Sequence, residues 1–259
     1  VWIWTKKPRC RRKWPKGRSL TTSSSLDSLE GARRQRQIVN SRPLQVWLVT
    51  AGEPSPGDGE SVRLYRTGML AHHLAKTGHR VVWWQTDFDH HRKIHRFGKN
   101  TELALASGLT QRVLHGRGYS RHVSLARLRD HRDVANAFDL LAPESPKPDV
   151  IVAAYPTIEL AAACARFACP RKIPLAIDIR DLWPDSFAEI FPSILRPVAR
   201  LVLAPYQGLA RRTLASADAL FSITGPMLDW ALAKAGRARR PTDAVIPFGY
   251  EPNLDEAGR

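Results

Sequence analysis

Short apolar runs alternate with segments of helical periodicity along this chain, and that alternation limits the folds open to it. The runs are VWLVT at 46–50, RVVWWQT at 80–86, PDVIVAAYP at 148–156, LAIDI at 175–179 and ALFSIT at 219–224. Runs that are apolar throughout are typical of strands buried on both faces, and helical crossovers make such strands parallel. The sequence therefore predicts an α/β fold with a doubly wound, mostly parallel sheet of about six strands and helices on both faces.

Cap and breaker residues set the predicted helix bounds. The first helix is predicted at 62–76, with Ser61 as its N-cap and Gly78 after its end. The strongest helical pattern spans 124–141, with Leu125 among its inward residues. Further helices are predicted at 158–168, 184–190, 194–217 with a break near Pro205, and 226–235, and further strands at 111–115 and 244–250.

The net charge of +16 is concentrated at the N-terminus. Residues 1–43 contain 12 Lys and Arg against 2 Asp and Glu, with three Trp and no sustained periodicity. We expect a disordered basic arm there. It is either a non-native or upstream extension without a specific role, or a segment that binds nucleic acid or anionic lipid.

The three cysteines and the hydropathy argue against a disulfide-stabilised protein and against a membrane-spanning one. Cys10, Cys164 and Cys169 form no CxxC pair, which indicates free thiols in a reducing compartment. No run of about 20 apolar residues occurs, so no membrane-spanning segment is predicted.

The stretch LAIDIRDLWPD at 175–185 carries the strongest functional signal. Its apolar strand ends in Asp178, Arg180, Asp181 and Asp185. Ligands of open α/β sheets bind at the carboxyl edge of the strands. Since burying this many charges in a core is costly, most of them must line a cleft or pair with one another. For Asp178 a purely structural role is an equal alternative.

Two loops after the first strands are candidates for anion binding. In AGEPSPGDGES at 51–61 the glycine spacing matches neither GxGxxG nor a Walker A motif. This loop is either an ordinary long turn or one whose glycines let the backbone approach an anion at a helix N-terminus. In TDFDHHRKIHR at 86–96 the flanking cations favour a solvated, phosphate-facing loop over a metal site.

The helical region at 194–217 has two interpretations. Leucines and arginines alternate along it, as in a helix that lies on anionic lipid. The default alternative is a surface helix with one apolar face packed on the core.

Four segments, in order, carry a family resemblance: RLYRTGMLAHHLAKTGHRVVWWQTDFDHHRK at 63–93, PDVIVAAYPTIELA at 148–161, DIRDLWPDSF at 178–187, and ADALFSIT with VIPFGY within 217–250. Over about residues 45–252 the chain resembles the N-terminal half of GT-B glycosyltransferases of the retaining family four, specifically bacterial members that build O-antigen, capsule or exopolysaccharide. The resemblance implies two Rossmann-like domains that face a cleft, an N-terminal one for the acceptor and a C-terminal one for the nucleotide-sugar donor.

The resemblance also implies the reaction and its partners. A sugar moves with retained configuration from a nucleotide-sugar to a glycan or polyprenyl-linked acceptor, without a required metal or other cofactor. Positive charge near the donor phosphate then supplies the main catalytic effect. We expect a cytoplasmic protein that makes peripheral contact with the anionic inner face of the plasma membrane. No specific nucleic-acid partner is expected.

The site residues implied by the resemblance come from the two loops, the first helix and the strand edges. Arg180 occupies the position where many relatives have a His that meets the donor sugar, and it is the predicted catalytic cation. Asp181 would orient Arg180 or bind a sugar hydroxyl. The predicted substrate-binding residues are Gly57, Gly59, Glu60, Arg63, Arg66, His91, Tyr155 and Asp178, and no metal ligand is predicted.

The resemblance divides the chain as follows. We expect a basic arm at 1–43, the N-terminal domain at 44–252 and the start of an interdomain linker at 253–259. Family members continue into a donor domain with a Glu-x7-Glu motif. On this basis we expect residues 1–259 to be a fragment that is inactive without that domain.

Overall fold

A computed structural model describes residues 42–59, 62–121, 123–189 and 191–249. Its strands are β1 (Gln45–Val49), β2 (Arg80–Thr86), β3 (Phe88–Asp89), β4 (Ile94–His95), β5 (Thr101–Ala106), β6 (Leu109–Leu114), β7 (Val150–Tyr155), β8 (Leu175–Ile179), β9 (Ala219–Ser222) and β10 (Ala244–Val245). Its helices are α1 (Arg66–Lys76), α2 (Leu125–Leu141), α3 (Ile158–Arg171), α4 (Asp185–Glu189), α5 (Arg196–Val202), α6 (Ala204–Ser216) and α7 (Gly225–Ala235). Short 3₁₀ turns lie at Pro56–Asp58 and Ala142–Glu144.

The central sheet has eight strands in the order β10-β9-β8-β7-β1-β2-β6-β5. All neighbours pair in parallel except β5, which runs antiparallel to β6 at one edge. The strands β3 and β4 form a separate two-stranded hairpin. The predicted fold class is confirmed, although the sheet is larger than the six strands expected.

Alternate residues of the central strands face two separate cores. On β1, Trp47 and Val49 pack in the larger core with α2, α3, α6 and α7. Val46 and Leu48 face the smaller core on the other side, which is covered by α1. This alternation follows from the pleat of a strand, and it explains why runs such as VWLVT are apolar at every position.

Two details of the predicted helices are wrong. The first helix begins at Arg66 with Tyr65 at its N-cap, rather than at residue 62 behind Ser61. The Glu53 carboxylate caps it from the preceding loop, because its Oε2 accepts the Thr67 N–H at 3.1 Å. Leu125, predicted to point inward, is 70% exposed because it is the first residue of α2.

Several predictions lie outside the described residues. They concern residues 1–41 of the basic arm, Glu60 and Ser61, Tyr250, and the linker at 253–259. The domain boundaries remain predictions. None of the helices in the described ranges combines the length and hydropathy needed to cross a bilayer.

Candidate functional site

A cavity of about 770 Å³ opens at the carboxyl edge of the sheet. Its walls come from the loop after β1, residues 62–69 at the start of α1, the hairpin after β2, Arg180 after β8, and Phe248 with Gly249 after β10. The strand order brings these segments together, since the parallel strands end at one edge. The cavity therefore lies where the sequence predicts a cleft.

The wall of the cavity is rich in arginine. Five arginines line it against three carboxylates: Arg63, Arg66, Arg92, Arg96 and Arg180 against Glu53, Asp58 and Asp89. Apolar side chains, among them Tyr65 and Phe248, lie between the charges and are 50% and 59% exposed. This surface suits a ligand that has both an anionic group and a sugar or hydrocarbon portion.

A chain of alternating charges forms the floor of the cavity. Arg180 donates from Nε to Asp178 Oδ2 at 2.9 Å, from Nη1 to Glu53 Oε1, and from Nη2 to Thr67 Oγ1 at 2.8 Å. Arg66 holds the same Asp178 through two hydrogen bonds of 2.8 and 3.1 Å. Burial alone would lower the pKa of Arg180, but the carboxylates of Glu53 and Asp178 raise it, so Arg180 is a permanent cation.

Glu53 is a site residue that the sequence reading missed. It is buried, and its carboxylate accepts hydrogen bonds from Thr67 Oγ1 at 2.6 Å and Thr50 Oγ1 at 3.3 Å in addition to Arg180. Its position between Gly52 and Pro54 in a loop gives no periodic signal, and Arg180 lies 127 residues away. The buried Glu53 carboxylate therefore holds both the first turn of α1 and the Arg180 guanidinium in place.

Arg66 also binds the segment that follows β10. Its Nη1 donates to the Ile246 and Pro247 carbonyls at 2.8 and 3.0 Å, and its guanidinium carbon lies 6.0 Å from the Phe248 ring centroid. One side chain at the start of α1 thus connects β8 with residues 246–248. This contact brings Phe248 into the cavity wall.

A second ion pair joins the glycine-containing loop to the hairpin. Arg96 binds Asp58 through Nε at 2.5 Å and Nη2 at 2.8 Å. Burial alone would raise the pKa of Asp58, but these bonds and the Ser55 N–H hold it below its ordinary value. The loop is therefore tied at Asp58 by a charged pair that is present at neutral pH.

Gly52 and His90 are in close contact behind this loop. Gly52 has φ +74°, and a Cβ there would lie 2.9 Å from His90 Nδ1. Burial lowers the pKa of His90 to about 4, so this imidazole is neutral at physiological pH. Only glycine fits both the backbone angle and the space beside the ring.

The structure brings some predicted residues together and separates others. Arg63, Arg66, His91 and Arg180 line the cavity, and Asp178 is buried directly beneath the two arginines that it binds. Gly57 and Gly59 belong to the same loop but not to the lining. Glu60 lies outside the described residues.

Asp181 and Tyr155 lie away from the cavity. Asp181 is exposed and accepts a hydrogen bond from Ser186 Oγ at 3.1 Å, and the role of orienting Arg180 falls to Glu53 and Asp178 instead. Tyr155 is completely buried in the larger core and donates its hydroxyl to the Trp183 carbonyl at 2.5 Å. Burial raises its pKa far above the ordinary value, which suits a packing residue.

Comparison with known proteins identifies the family. A family model described as a glycosyl transferase 4-like domain matches residues 64–249. Among solved structures, the α,α-trehalose 6-phosphate synthase from Burkholderia multivorans is similar with 13% identity and a TM-score of 0.43, over 78% of this chain and 49% of that enzyme. This chain thus spans about half the length of that synthase. No curated protein matches its sequence. The family resemblance read from the sequence is confirmed, and the chain belongs to the glycosyl transferase 4-like domain family.

Proposed function

We propose that this domain provides the acceptor side of a retaining glycosyltransferase that moves a sugar from a nucleotide-sugar to a glycan or polyprenyl-linked acceptor. The transfer would take place on the cytoplasmic side of the membrane, and its product would be used to build cell-surface polysaccharide. A second, donor-binding domain would face the cavity and complete the site. The observation that carries the proposal is the arginine-rich cavity at the carboxyl edge of the sheet, most of whose lining residues lie within the part of the chain that matches the family.

The proposal assigns different roles to the arginines. Arg66 and Arg180 are held by buried carboxylates, so they supply fixed, preorganised charges instead of a mobile phosphate clamp. Arg63 and Arg92 lie at the exposed mouth of the cavity, where a ligand phosphate can reach their guanidinium groups. Phosphate recognition is therefore assigned to Arg63 and Arg92, and charge stabilisation to the buried pair.

The apolar part of the cavity fits the rest of such a ligand. Tyr65 and Phe248 present exposed ring faces of the kind that stack on sugars or cover the first units of a prenyl chain. The fixed charges need no reorganisation when charge develops on a leaving phosphate. No protein group needs to titrate for this contribution, since arginine stays charged.

Calorimetric titration tests the assignment. Geranyl diphosphate serves as the probe of the prenyl-linked acceptor. It should bind the wild-type chain, and replacing Arg63 and Arg92 together with Ser should weaken binding by at least about tenfold, at about 1.5–3 kcal/mol per charged hydrogen bond. Arg129→Ser, an exposed change on α2 outside the cavity, is the matched control. Equal affinities in all three proteins would contradict the proposal.

We also propose that the domain lies against an anionic membrane through α5 and the turn before it. Large apolar side chains are exposed there: Ile194 84%, Leu195 49%, Val198 59%, Leu201 75% and Val202 71%. Between residues 191 and 217 the sequence contains four Arg and no Asp or Glu. An apolar face with positive charge around it matches a bilayer surface that carries anionic headgroups.

Vesicle flotation tests the membrane surface. The full chain should bind phosphatidylglycerol vesicles more strongly than phosphatidylcholine vesicles, and Leu201→Asp should reduce that binding several-fold by adding charge repulsion and hydration to the apolar face. Leu140→Asp on α2, whose side chain is 66% exposed, is the control. Binding that survives Leu201→Asp would point instead to the basic arm.

A further inference from the structure

One buried carboxylate and two histidines converge behind the hairpin, outside the cavity lining. Asp87 follows β2, His95 lies on β4 and His115 follows β6. Asp87 Oδ2 is 2.9 Å from His95 Nδ1 and 2.7 Å from His115 Nδ1. The three ligand atoms all lie within 4.8 Å of one another.

We propose that Asp87, His95 and His115 bind a divalent transition-metal ion, for which Zn²⁺ is the probe. This site goes beyond the proposed sugar transfer and takes no part in that chemistry. Two imidazole nitrogens with one carboxylate oxygen form a donor set that prefers zinc, nickel or cobalt to magnesium or calcium.

The spacing of the ligand atoms supports this assignment. Around a metal with bonds of about 2.1 Å, neighbouring ligand atoms are about 3.0 Å apart at right angles and about 3.4 Å apart in a tetrahedron. The two observed separations from Asp87 Oδ2 are close to the shorter value. A metal would replace the protons that the two Nδ1 atoms share with Asp87 Oδ2, with small ring movements and with the remaining proton of each neutral histidine on Nε2.

The carboxylate is already oriented by the backbone. Asp87 Oδ1 accepts the Phe97 N–H at 2.7 Å, and Oδ2 accepts the Gly98 N–H at 3.2 Å. These outer contacts resemble those that position metal ligands.

The histidines leave one side of the cluster open. Asp87 is fully buried, whereas the side chains of His95 and His115 are 28% and 35% exposed. Gly118 makes room for the His95 ring, since a Cβ there would lie 2.9 Å from its Nε2. Water can complete the coordination from the open side, as in sites with three protein ligands.

A bound metal would fix the hairpin to the end of β6. The hairpin carries Asp89, His91 and Arg92 into the cavity wall. Holding His95 to His115 through a metal would restrict the movement of that wall. The expected effect of the metal is therefore stabilisation of the folded state and of the cavity.

Zinc titration of the full chain, followed by calorimetry and thermal unfolding, tests the site. We expect one saturable Zn²⁺ site that raises Tm. His95→Ala and His115→Ala should each weaken binding by at least about tenfold, since even the loss of an outer contact costs 10–100-fold. His73→Ala, which removes an exposed histidine on α1, is the matched control and should bind like the wild type.

A measurement on the unaltered protein guards against variants that do not fold. Zn²⁺ should shift the Nδ1 resonances of two histidines in ¹⁵N-labelled wild-type protein, because both metal bonds form at Nδ1. Histidine resonances that do not move would overturn the proposal. Zinc binding of equal strength in His95→Ala, His115→Ala and His73→Ala would also overturn it, since the metal would then lie elsewhere.

Discussion

Replacing Arg180 with Met should destabilise the fold strongly, because it removes the guanidinium between two buried carboxylates. Glu53 and Asp178 are each 4% exposed, and both lose a charged hydrogen bond in this variant. Removing one partner of a buried ion pair costs about 3–5 kcal/mol. Asp178 keeps Arg66, and Glu53 keeps Thr67 and Thr50, so we expect the lower part of that range.

Urea unfolding at neutral pH measures this effect through the free energy of unfolding. Arg92→Met is the matched control, since its side chain is 56% exposed and its ion pair with Asp89 spans 3.8 Å. An exposed pair of this kind contributes at most about 1 kcal/mol. The loss of unfolding free energy in Arg180→Lys should fall between those of Arg180→Met and Arg92→Met, because an ammonium cannot reproduce the forked geometry of a guanidinium. An Arg180→Met effect no larger than that of Arg92→Met would refute the account of the buried network.

Two other predictions concern the loop and the response to acid. Gly52→Ala should lower the free energy of unfolding, measured in urea, by about 1–3 kcal/mol, because of the positive φ and the contact with His90. Gly57→Ala is the control and should change that free energy little, since its Cβ would meet nothing within 4 Å. Asp243 is buried; although burial alone would raise its pKa, Arg237 and backbone N–H groups hold it below the ordinary value of 3.8. Its stabilisation is therefore present above pH 3.8 and lost as the pH falls through the lower folded value. Arg237→Met should make unfolding less acid-dependent below pH 3.8, and an unchanged acid profile would contradict that ion pair.

The strands that the sequence predicted best are those buried on both faces. RVVWWQT coincides with β2, and LAIDI with β8. By contrast, β5 was missed because its residues alternate between half-buried and exposed at a sheet edge, and its composition resembles a helix or a loop. Predictions from hydrophobic pattern therefore succeed where both faces are covered, and weaken at the edge.

The residues of the candidate site were also only partly predictable from the sequence. The strand-edge position of Arg180 was predictable because an apolar run ending in charges marks a carboxyl edge. The partners of Arg180 were not predictable. Glu53 comes from a loop without periodicity, and Asp181, which is much closer to Arg180 in the sequence, was the natural choice. Likewise, His95 was visible among cations at 86–96, but nothing local indicates that His115 lies beside it. Contacts between distant segments are set by strand order, which local patterns do not specify.

The arginine-rich cavity is proposed to bind the phosphate-bearing substrate of sugar transfer. Photo-crosslinking with a benzophenone-bearing prenyl diphosphate, followed by peptide mapping, tests this binding. Labels are expected in the segments that line the cavity, at 52–69 and 89–96, with competition by unlabelled geranyl diphosphate and loss in the Arg63→Ser and Arg92→Ser double variant. Labels that fall outside those segments, or that persist in the double variant and in excess competitor, would contradict it.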